Sequence, residues 1–290
     1  MTSPATGGSA PTAAAADGIS IRRVRTNEEY DACVRMQHAI WGEDFTEAVP
    51  ATILKVTQQI GGVTAGAFDP GGRLLGFVFG MMGSMDGALV HWSDMLAVHH
   101  DARNKGLGRR LKLFQRELLR PLGVERMFWT YDPLVAKNAF LNIVRLGARP
   151  TEYVIDMYGA DTHSALHSGL GTDRFIVAWD LTKDGGANTR SEADVESDAR
   201  QAPIANALAA GVGRSAGPAM ELPDADVVRV EVPADIDAVL ARDVSVAATL
   251  RESTRRIFTY YMDRHYRVAG FSHLTPDDRY FYILSRNATR

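Results

Sequence analysis

The sequence has one cysteine, no long apolar run and no excess of basic residues, and each shortage excludes a class of protein. Cys33 alone cannot form an intrachain disulfide or a cysteine-based metal cluster. No stretch of about 18 consecutive apolar residues predicts a transmembrane helix. The net charge is -3, whereas a general nucleic-acid-binding protein is usually basic. We therefore expect no metal, and neither a membrane nor a nucleic acid as a partner.

The N-terminal segment lacks the features of a secretory signal. Residues 1–17 are rich in small residues and have neither a basic start nor a sustained apolar core. This composition predicts a disordered tail, with the cytoplasm as the default location. The chain of 290 residues is 46% hydrophobic, which is enough for one large or two small domains with a buried core.

Two common phosphate-binding loops are also missing. No Gly-Lys-Ser or Gly-Lys-Thr is present, so there is no Walker A loop, and the run from Gly106 to Leu111 ends in leucine where a Rossmann fingerprint needs glycine. A third pattern, Arg/Gln-x-x-Gly-x-Gly/Ala, is met by the residues from Arg103 to Gly108. This pattern follows a short apolar strand, Met95–Val98, and opens a helix.

The glycine pattern predicts an anion-binding turn. A helix start leaves about four backbone N–H groups without partners in the helix and carries roughly half a positive charge. Glycine at such a place lets a phosphate approach the backbone. Five basic residues surround it in the sequence: Arg103, Lys105, Arg109, Arg110 and Lys112. We predict a site for a polyphosphate or pyrophosphate; the alternative is an ordinary glycine-rich helix start with a solvated basic face.

Hydrophobic periodicity and turn residues predict the order β-α-α-β-β-β-α-β-α-β-β over residues 19–181. The run Thr26–Glu29 resembles a helix cap with an acidic first turn and predicts the start of the first helix. Residues 81–87 are predicted to form a loose connection between two strands. A helix from Ala136 to Leu146 is predicted to end at Gly147.

The composition changes after this region. Residues 183–222 are rich in Gly, Ala, Ser, Asp and Pro, which predicts a flexible linker with room for a helical turn at 204–210. Regular structure is predicted again from 227, with a strand to 232, a helical stretch over 235–261 and two terminal strands. The predicted division is therefore a tail at 1–17, a domain at 18–182, a linker at 183–222, and a C-terminal extension at 223–290 that packs on the domain.

This order of elements, with the glycine loop after the fourth strand, resembles the GNAT N-acetyltransferase superfamily over roughly residues 19–181. Several motifs are similar to those of a little-characterised bacterial subgroup with a C-terminal extension: Met95–Val98, Arg103–Gly108, Trp129–Leu134, Asn138-Ala139 with Asn142, Arg145–Ala148, Tyr158-Gly159 and Thr172–Arg174. The resemblance implies an α/β (α+β) fold: a GNAT-like mixed, mostly antiparallel twisted sheet flanked by helices, with a small C-terminal α/β extension.

The resemblance also implies acetyl-CoA or another acyl-CoA as co-substrate. The pantetheine arm would pair with the splayed edge of the strand Met95–Val98, and the pyrophosphate would rest on the amides of residues 105–108. A backbone amide near Leu96 would stabilise the oxyanion. The residues implied to bind the donor are Met95, Leu96, Val98, Arg103, Asn104, Lys105, Gly106, Leu107, Gly108, Arg109 and Asn138.

The groups for proton transfer depart from the family pattern. Asp94 is the carboxylate nearest the thioester-binding strand and is the candidate base. Many members of the superfamily place a tyrosine acid four residues before the glycine that ends the helix after the fifth strand, and Ile143 occupies this position. Tyr131, Asn142 or water would have to act in its place.

Three further residues are interpreted from their surroundings. Cys33 lies on an amphipathic helix and is interpreted as a core thiol. His91, alone on a strand, is interpreted as a core histidine, with proton shuttling as the alternative. Asp132 before Pro133 is interpreted as a turn or helix cap, with binding of an acceptor ammonium as the alternative.

The remaining histidines and the late arginines are interpreted as structural. His163 and His167 are predicted to be loop residues, because no Cys or HExxH pattern supplies a third metal ligand. Arg251, Arg255 and Arg256 are predicted to be surface charges, with recognition of an acceptor carboxylate as the alternative.

We therefore predict a CoA-dependent N-acyltransferase. It would transfer an acyl group, acetyl by default, to a primary amine of a small molecule or amino acid by direct attack on the thioester. The alternatives are an N-succinyltransferase that uses succinyl-CoA, a non-catalytic acyl-CoA-binding or sensing protein and, more distantly, a nucleotide-binding protein. A small-molecule amine is the expected partner, and a homodimer is left open.

Overall fold

This computed structural model describes residues 13–14, 17–159, 170–183, 191–206, 221–275 and 277–287. The chain divides into two compact units, the first formed by residues 1–43 and 47–125 and the second by residues 44–46 and 126–290. No helix within the described ranges is long and apolar enough to cross a membrane.

The first unit contains five strands that pair antiparallel in chain order. These are β1 (Ala13–Ala14), β2 (Ser20–Arg23), β3 (Val63–Phe68), β4 (Leu74–Met85) and β5 (Ala88–Val98). Its helices are α1 (Asn27–Trp41), α2 (Ala51–Gln59) and α3 (Leu107–Leu119), and short 3₁₀ turns occupy His100–Ala102 and Arg120–Leu122.

Helix α1 begins at the predicted capping residues. The Thr26 side chain accepts a hydrogen bond from the Glu29 amide at 3.3 Å, and the Glu29 carboxylate accepts one from the Thr26 amide at 3.4 Å, which is a capping box. Glu29 also forms an ion pair with Arg22 of β2 at 2.6 Å. Cys33 is fully buried on this helix, and burial raises the pKa of its thiol to about 12.

The connection between β4 and β5 differs from the prediction of a loose loop over residues 81–87, which is wrong. Strand β4 continues to Met85 and pairs there with Ala88. Asp86 and Gly87 alone form the turn, with φ angles of 51° and 78°. An Asp-Gly pair with positive φ at both positions is the favoured two-residue hairpin turn, so the sequence did carry the signal.

The second unit contains two antiparallel sheets. Strands β6 (Arg126–Tyr131), β7 (Arg149–Val154) and β8 (Arg174–Asp180) have the order β6-β8-β7, and β9 (Val227–Val232), β10 (Arg267–Leu274) and β11 (Arg279–Ser285) have the order β10-β11-β9. The helices are α4 (Ala136–Ala139), α5 (Glu192–Gln201), α6 (Ile236–Arg242) and α7 (Val244–Asp263). Across the two units, helices flank mostly antiparallel strands, so the predicted fold class is confirmed.

Aromatic rings from β8, α7 and β11 form the centre of the second unit. The ring of Phe175 lies 4.8 Å from that of Phe258 and 5.6 Å from that of Tyr282, measured between centroids. The rings of Phe258 and Tyr282 lie 5.3 Å apart at 85°. All three side chains are fully buried, and the edge-to-face arrangement adds to their apolar burial. Residues from the predicted C-terminal extension therefore share a core with β8.

Three helical segments differ from the sequence prediction. Within the predicted linker, Ser191 caps α5, and Val195 and Ala199 pack against Phe281 and Ile283. The predicted helix from 136 to 146 continues beyond α4 as a π-helix, Phe140–Arg145. The predicted stretch over 235–261 is two helices, because Asp243 has extended backbone angles and caps α7. The predicted turn at 204–210 lies largely outside the described residues.

Candidate active site

The predicted phosphate loop lies between the end of β5 and the start of α3. Asn104 and Gly106 adopt left-handed backbone conformations, with φ of 61° and 72°. The first helical hydrogen bond of α3 runs from the Arg110 amide to the Gly106 carbonyl at 3.1 Å. The amides of residues 107–109 precede this bond, so helix geometry directs them outward from the N-terminus. The left-handed turn thus exposes the end of α3, as the glycine pattern predicts.

Among the residues that the structure describes, the space above Gly106 is open. None of their atoms lies within 4 Å of a Cβ built on Gly106, and none of their side chains caps α3. An anion at the helix N-terminus would displace none of these groups, and the helix dipole favours it there. Asn104 tolerates the left-handed conformation better than most residues.

The five basic residues of this segment divide into two groups. Arg103, Lys105 and Arg109 are exposed; the first two also donate hydrogen bonds to the carbonyls of Val98 at 3.3 Å and of Asp101 at 2.9 Å. These bonds hold the loop in shape and keep the charges beside it.

The other two basic residues of the segment are engaged away from the loop. Arg110 pairs with Asp17 at 2.8 Å and donates to the Ile19 carbonyl at 3.1 Å. Lys112 is only 2% exposed and donates to Ser93 Oγ at 2.7 Å. The expectation that Lys112 surrounds the ligand site is therefore wrong, because its side chain lies in the interior.

Strand β5 contains a bulge at the residues just before the predicted thioester-binding strand. Phe79 pairs with Met95 but Met81 pairs with Trp92, so Gly80 lies opposite two residues, Ser93 and Asp94. A Cβ on Gly80 would lie 2.5 Å from the Trp92 carbonyl oxygen and 2.9 Å from Ser93 Cα. Only glycine permits this close approach, and bulges of this kind re-aim side chains beside active sites.

The bulge separates buried from accessible positions on β5. Met95 and Ala97 are buried, whereas Leu96 and Val98 are partly exposed and Asp94 is exposed. The predicted donor residues Leu96 and Val98 thus share the accessible face with the predicted base.

Asp94 has the environment of a carboxylate prepared to accept a proton. Although its side chain reaches the surface, the surrounding protein removes enough water to raise its pKa. A hydrogen bond from Trp92 opposes this shift, and the negative charge of Glu47 adds to it. A raised pKa moves a carboxylate towards the range in which a general base works at neutral pH.

Tyr131, Asn138 and Asn142 belong to the second unit. Tyr131 is buried, its hydroxyl lies 3.3 Å from that of Tyr282, and burial raises its pKa. Asn142 is buried within the π-helix, where its Oδ1 accepts a hydrogen bond from Trp129 Nε1 at 3.2 Å. Asn138 is partly exposed. Tyr131 is thus held protonated, whereas Asn142 has a structural hydrogen bond in addition to any other role.

Ile143, which the resemblance places where a tyrosine acid is common, is buried and supplies no ionisable group. Proton transfer by another residue stays a prediction.

Arg251 and Arg255 contradict their interpretation as surface charges. Arg251 is 4% exposed and donates to Asp132 Oδ2 at 2.5 Å. Arg255 binds both oxygens of Asp173, at 2.9 and 2.6 Å, and also Asp156 at 3.0 Å. Sequence spacing puts both arginines on one face of α7, but it cannot identify acidic partners that are about 80 to 120 positions away in the chain.

Asp132 and His91 have the structural surroundings that the sequence favours. Asp132 Oδ1 accepts a hydrogen bond from the Leu134 amide at 2.8 Å, which is a turn, and its other oxygen binds Arg251. His91 is fully buried, its Nε2 lies 2.9 Å from Gln115 Nε2, and burial lowers its pKa to about 3. His163 and His167 lie outside the described residues.

One group of potential metal ligands comes together among the described residues. Ligand atoms of His99, His100 and Asp101 lie within 4.8 Å of one another. His99 Nδ1 also accepts a hydrogen bond from the Asp101 amide at 3.4 Å, which is a turn geometry. Three consecutive residues in a turn do not establish a metal site, and the absence of a metal stays a prediction.

No protein-family model matches this sequence, and no curated protein does. A chain of the NatC complex bound to Gag peptide and CoA is 13% identical, with 56% of this chain and 98% of that chain covered and a TM-score of 0.46. The ribosomal-protein-S18-alanine N-acetyltransferase from Escherichia coli is 18% identical, with 58% and 97% covered and a TM-score of 0.44. Aminoglycoside 6'-acetyltransferase type Ii is 15% identical, with 57% and 98% covered and a TM-score of 0.44.

The second and third of these solved structures are acetyltransferases by name, and the first contains CoA. Their identities are below 25% and their TM-scores below 0.5, so the similarity by itself decides neither the reaction nor the substrates.

Proposed function

We propose that this chain is a CoA-dependent N-acyltransferase that transfers an acyl group, acetyl by default, to a primary amine. The observation that carries the proposal is the loop of residues 103–108. It combines a left-handed Gly106 under open space, helix amides that precede the first helical bond, and exposed basic side chains. Such a loop suits the pyrophosphate of coenzyme A.

The reaction follows from the residues next to this loop. The amine nitrogen forms a bond to the thioester carbonyl carbon, and the carbonyl oxygen becomes an oxyanion that the Leu96 amide would stabilise. The carbon–sulfur bond then breaks, which gives an amide and a thiolate. Asp94 takes the proton lost by the nitrogen. The thiolate leaves without an obligatory acid, since a thiol has a pKa near roughly 8.5.

We also propose that the chain is divided into a catalytic domain and a C-terminal extension. Residues 18–182 would form the acyltransferase domain, and residues 223–290 an extension that packs on it. In support, Tyr282 donates to the Pro133 carbonyl at 2.9 Å, and Arg251 binds Asp132. Asp132 and Pro133, which these two residues of the extension contact, directly follow Tyr131, the candidate acid.

A matched pair of glycine variants tests the loop. Gly106 and Gly123 have φ of 72° and 78°, and no atom of the described part of the chain lies within 4 Å of a Cβ built on either. Aspartate tolerates this conformation comparatively well, so Gly106→Asp and Gly123→Asp should cost similar stability. Only Gly106→Asp places a negative charge at the proposed pyrophosphate site.

The measurement is CoA binding by calorimetry, followed by thiol release from acetyl-CoA and succinyl-CoA over a panel of small-molecule amines. We expect Gly106→Asp to weaken binding at least tenfold, because each 1.4 kcal/mol lost is about a factor of ten, and Gly123→Asp to leave it unchanged. If the two variants bind CoA with equal affinity, the loop is not the pyrophosphate site. A higher rate of thiol release from succinyl-CoA than from acetyl-CoA would identify succinyl-CoA as the donor.

The second candidate is a non-catalytic acyl-CoA-binding or sensing protein. It is favoured by Ile143 at the usual acid position and by the burial of Tyr131. Tight binding of acyl-CoA without thiol release for any amine in the panel would select it.

A further inference from the structure

A chain of four buried polar side chains connects α3 with β5 in the first unit. Lys112 Nζ donates to Ser93 Oγ at 2.7 Å, and Ser93 Oγ donates to Gln115 Oε1 at 2.8 Å. The amide nitrogen of Gln115 lies 2.9 Å from His91 Nε2. None of the four side chains is more than 3% exposed.

The hydrogen-bond directions along this chain are determined by its chemistry. The Gln115 amide nitrogen can only donate, so His91 accepts at Nε2 and carries its proton on Nδ1. The Nδ1 atom is buried and has no hydrogen-bond partner among the described residues. Burial, with smaller contributions from Lys112 and from Arg23 of β2, lowers the pKa of His91. The histidine is therefore neutral at physiological pH.

This arrangement costs stability. Burial lowers the pKa of Lys112 well below its ordinary value, and a buried polar atom such as Nδ1 of His91, which has no partner among the described residues, costs free energy of folding. Apolar side chains of the same size would form a more stable interior. Groups with strongly shifted pKa values cluster at functional sites, so the place of this chain in the fold decides what it does.

The polar chain passes through the bulge beside the candidate base. Ser93 receives the Lys112 bond and is one of the two bulge residues opposite Gly80, and Asp94 is the other. The Cβ position of Gly80 lies only 2.3 Å from His91 Nε2, so His91 also lies against the bulge. Ser93, an inner member of the polar chain, and His91, one of its ends, thus both lie at the same irregularity in β5.

We propose that Lys112 is a positioning residue that acts through Ser93. By holding the bulge, it directs Asp94 to the accessible face. The role of Asp94 as base rests on the proposed function, whereas the effect of Lys112 on the bulge does not.

The primary test replaces Lys112 by methionine, which has a similar length and no hydrogen-bond donor. We expect Lys112→Met to lower kcat roughly tenfold to a hundredfold through misplacement of the base, with KM for acyl-CoA unchanged because the phosphate loop stays intact. The matched control is Thr64→Val, which removes a fully buried hydroxyl that bonds the Leu54 carbonyl at 2.8 Å elsewhere in this unit. Equal losses of kcat in both variants would overturn the proposal.

A double-mutant cycle tests whether Ser93 transmits the effect. Ser93→Ala breaks the same chain one bond nearer to the bulge. The double variant should then lose about as much kcat as the more affected single variant, since residues in one hydrogen-bond chain are not additive. Fully additive losses would show that Lys112 acts by another route.

A readout without catalysis separates this proposal from the proposed function. The pKa of the Asp94 carboxyl can be followed by ¹³C NMR in wild type and in Lys112→Met, with Glu47 left intact because its charge also acts on Asp94. We expect the pKa of Asp94 to fall towards its ordinary value, because a relaxed bulge lets water reach the carboxylate. An unchanged pKa, or a rise caused by loss of a through-space charge, would overturn the positioning role. If wild type releases no thiol but the pKa still falls, the positioning role stands and the acyltransferase proposal fails.

Discussion

Arg251 of α7 donates a charge-assisted hydrogen bond to Asp132, which lies in the turn after β6, with Nη2 and Oδ2 separated by 2.5 Å. Burial acts to lower the pKa of Arg251, but the carboxylate outweighs it and raises this pKa. Arg251 Nε also donates to the Leu170 carbonyl at 3.0 Å, while Nη1 is buried without a partner among the described residues. Asp132 is therefore neutralised by the protein itself, and this disfavours the alternative that it binds an acceptor ammonium.

The Arg251–Asp132 pair leads to the first prediction. Arg251→Met should destabilise the protein by about 1.5–3 kcal/mol, because it removes the charge-assisted hydrogen bond to a partly buried carboxylate and leaves it with the more distant Arg174 at 3.8 Å. The double variant Arg251→Met with Asp132→Asn should regain most of this loss. Urea unfolding gives the free energies, and Arg256→Met, an exposed arginine on the same helix, is the control. A loss below about 1 kcal/mol for Arg251→Met would mean that the pair behaves as a surface ion pair.

The second prediction concerns acid stability. His91 has a pKa of about 3 in the folded chain and 6.5 as its ordinary value, so the unfolded chain binds more protons between these limits. Stability should therefore fall as the pH decreases from about 6.5 to 3, by roughly 3–5 kcal/mol from this residue alone. His91→Gln should flatten that part of the curve, whereas the exposed control His100→Gln should not. Parallel pH curves for wild type and His91→Gln would contradict the assignment of a buried neutral histidine.

The third prediction uses the single thiol as a reporter. Cys33 is fully buried on α1, and burial raises its pKa to about 12, so neither access nor ionisation favours alkylation. Iodoacetamide should leave the native protein unmodified at pH 7.5 and label it completely in urea, as measured by intact mass. Rapid labelling without denaturant would show that α1 opens easily from the first unit.

The fourth prediction compares two glycines of β4. In Gly80→Ala the new methyl group would lie 2.5 Å from the Trp92 carbonyl oxygen, whereas in Gly83→Ala it would lie 3.7 Å from a Val90 methyl group. Gly80→Ala should cost about 1–3 kcal/mol through displacement of the backbone, and Gly83→Ala should be neutral or slightly stabilising. Thermal unfolding of both variants checks this, and similar melting temperatures would mean that the bulge adapts without cost.

Local signals in the sequence predicted much of the fold. The Thr26–Glu29 cap, the end of a helix at Gly147 and the strand at Val227–Val232 depend on residues that are neighbours in the chain, and all three are present. The glycine loop before α3 was predicted for the same reason. The Asp86-Gly87 hairpin carried an equally local signal, which the apolar and glycine residues around it obscured.

The errors concern long-range partners. A lysine on an amphipathic helix is expected at the surface. Lys112 is nevertheless buried, because Ser93 on β5 accepts a hydrogen bond from it. Arg251 likewise becomes a buried residue because of Asp132. Helix α5 forms in a stretch with few apolar residues, since two of them, Val195 and Ala199, find a surface on β10 and β11. The topology of the fold brings such partners together, and local sequence patterns carry no information about residues that are distant in the chain.

The ring contacts among Phe175, Phe258 and Tyr282 also determine when the second unit can fold during synthesis. Strand β8 is complete at residue 180, and the rings of Tyr131 and Tyr153, which also contact Phe175, precede it in the chain. The other two rings come from positions 83 and 107 residues after Phe175. While the ribosome adds these residues, at about 5–20 per second, this part of the cover over Phe175 is missing for several seconds. The exposed aromatic surface makes this interval the period in which the nascent chain is most susceptible to aggregation or chaperone binding.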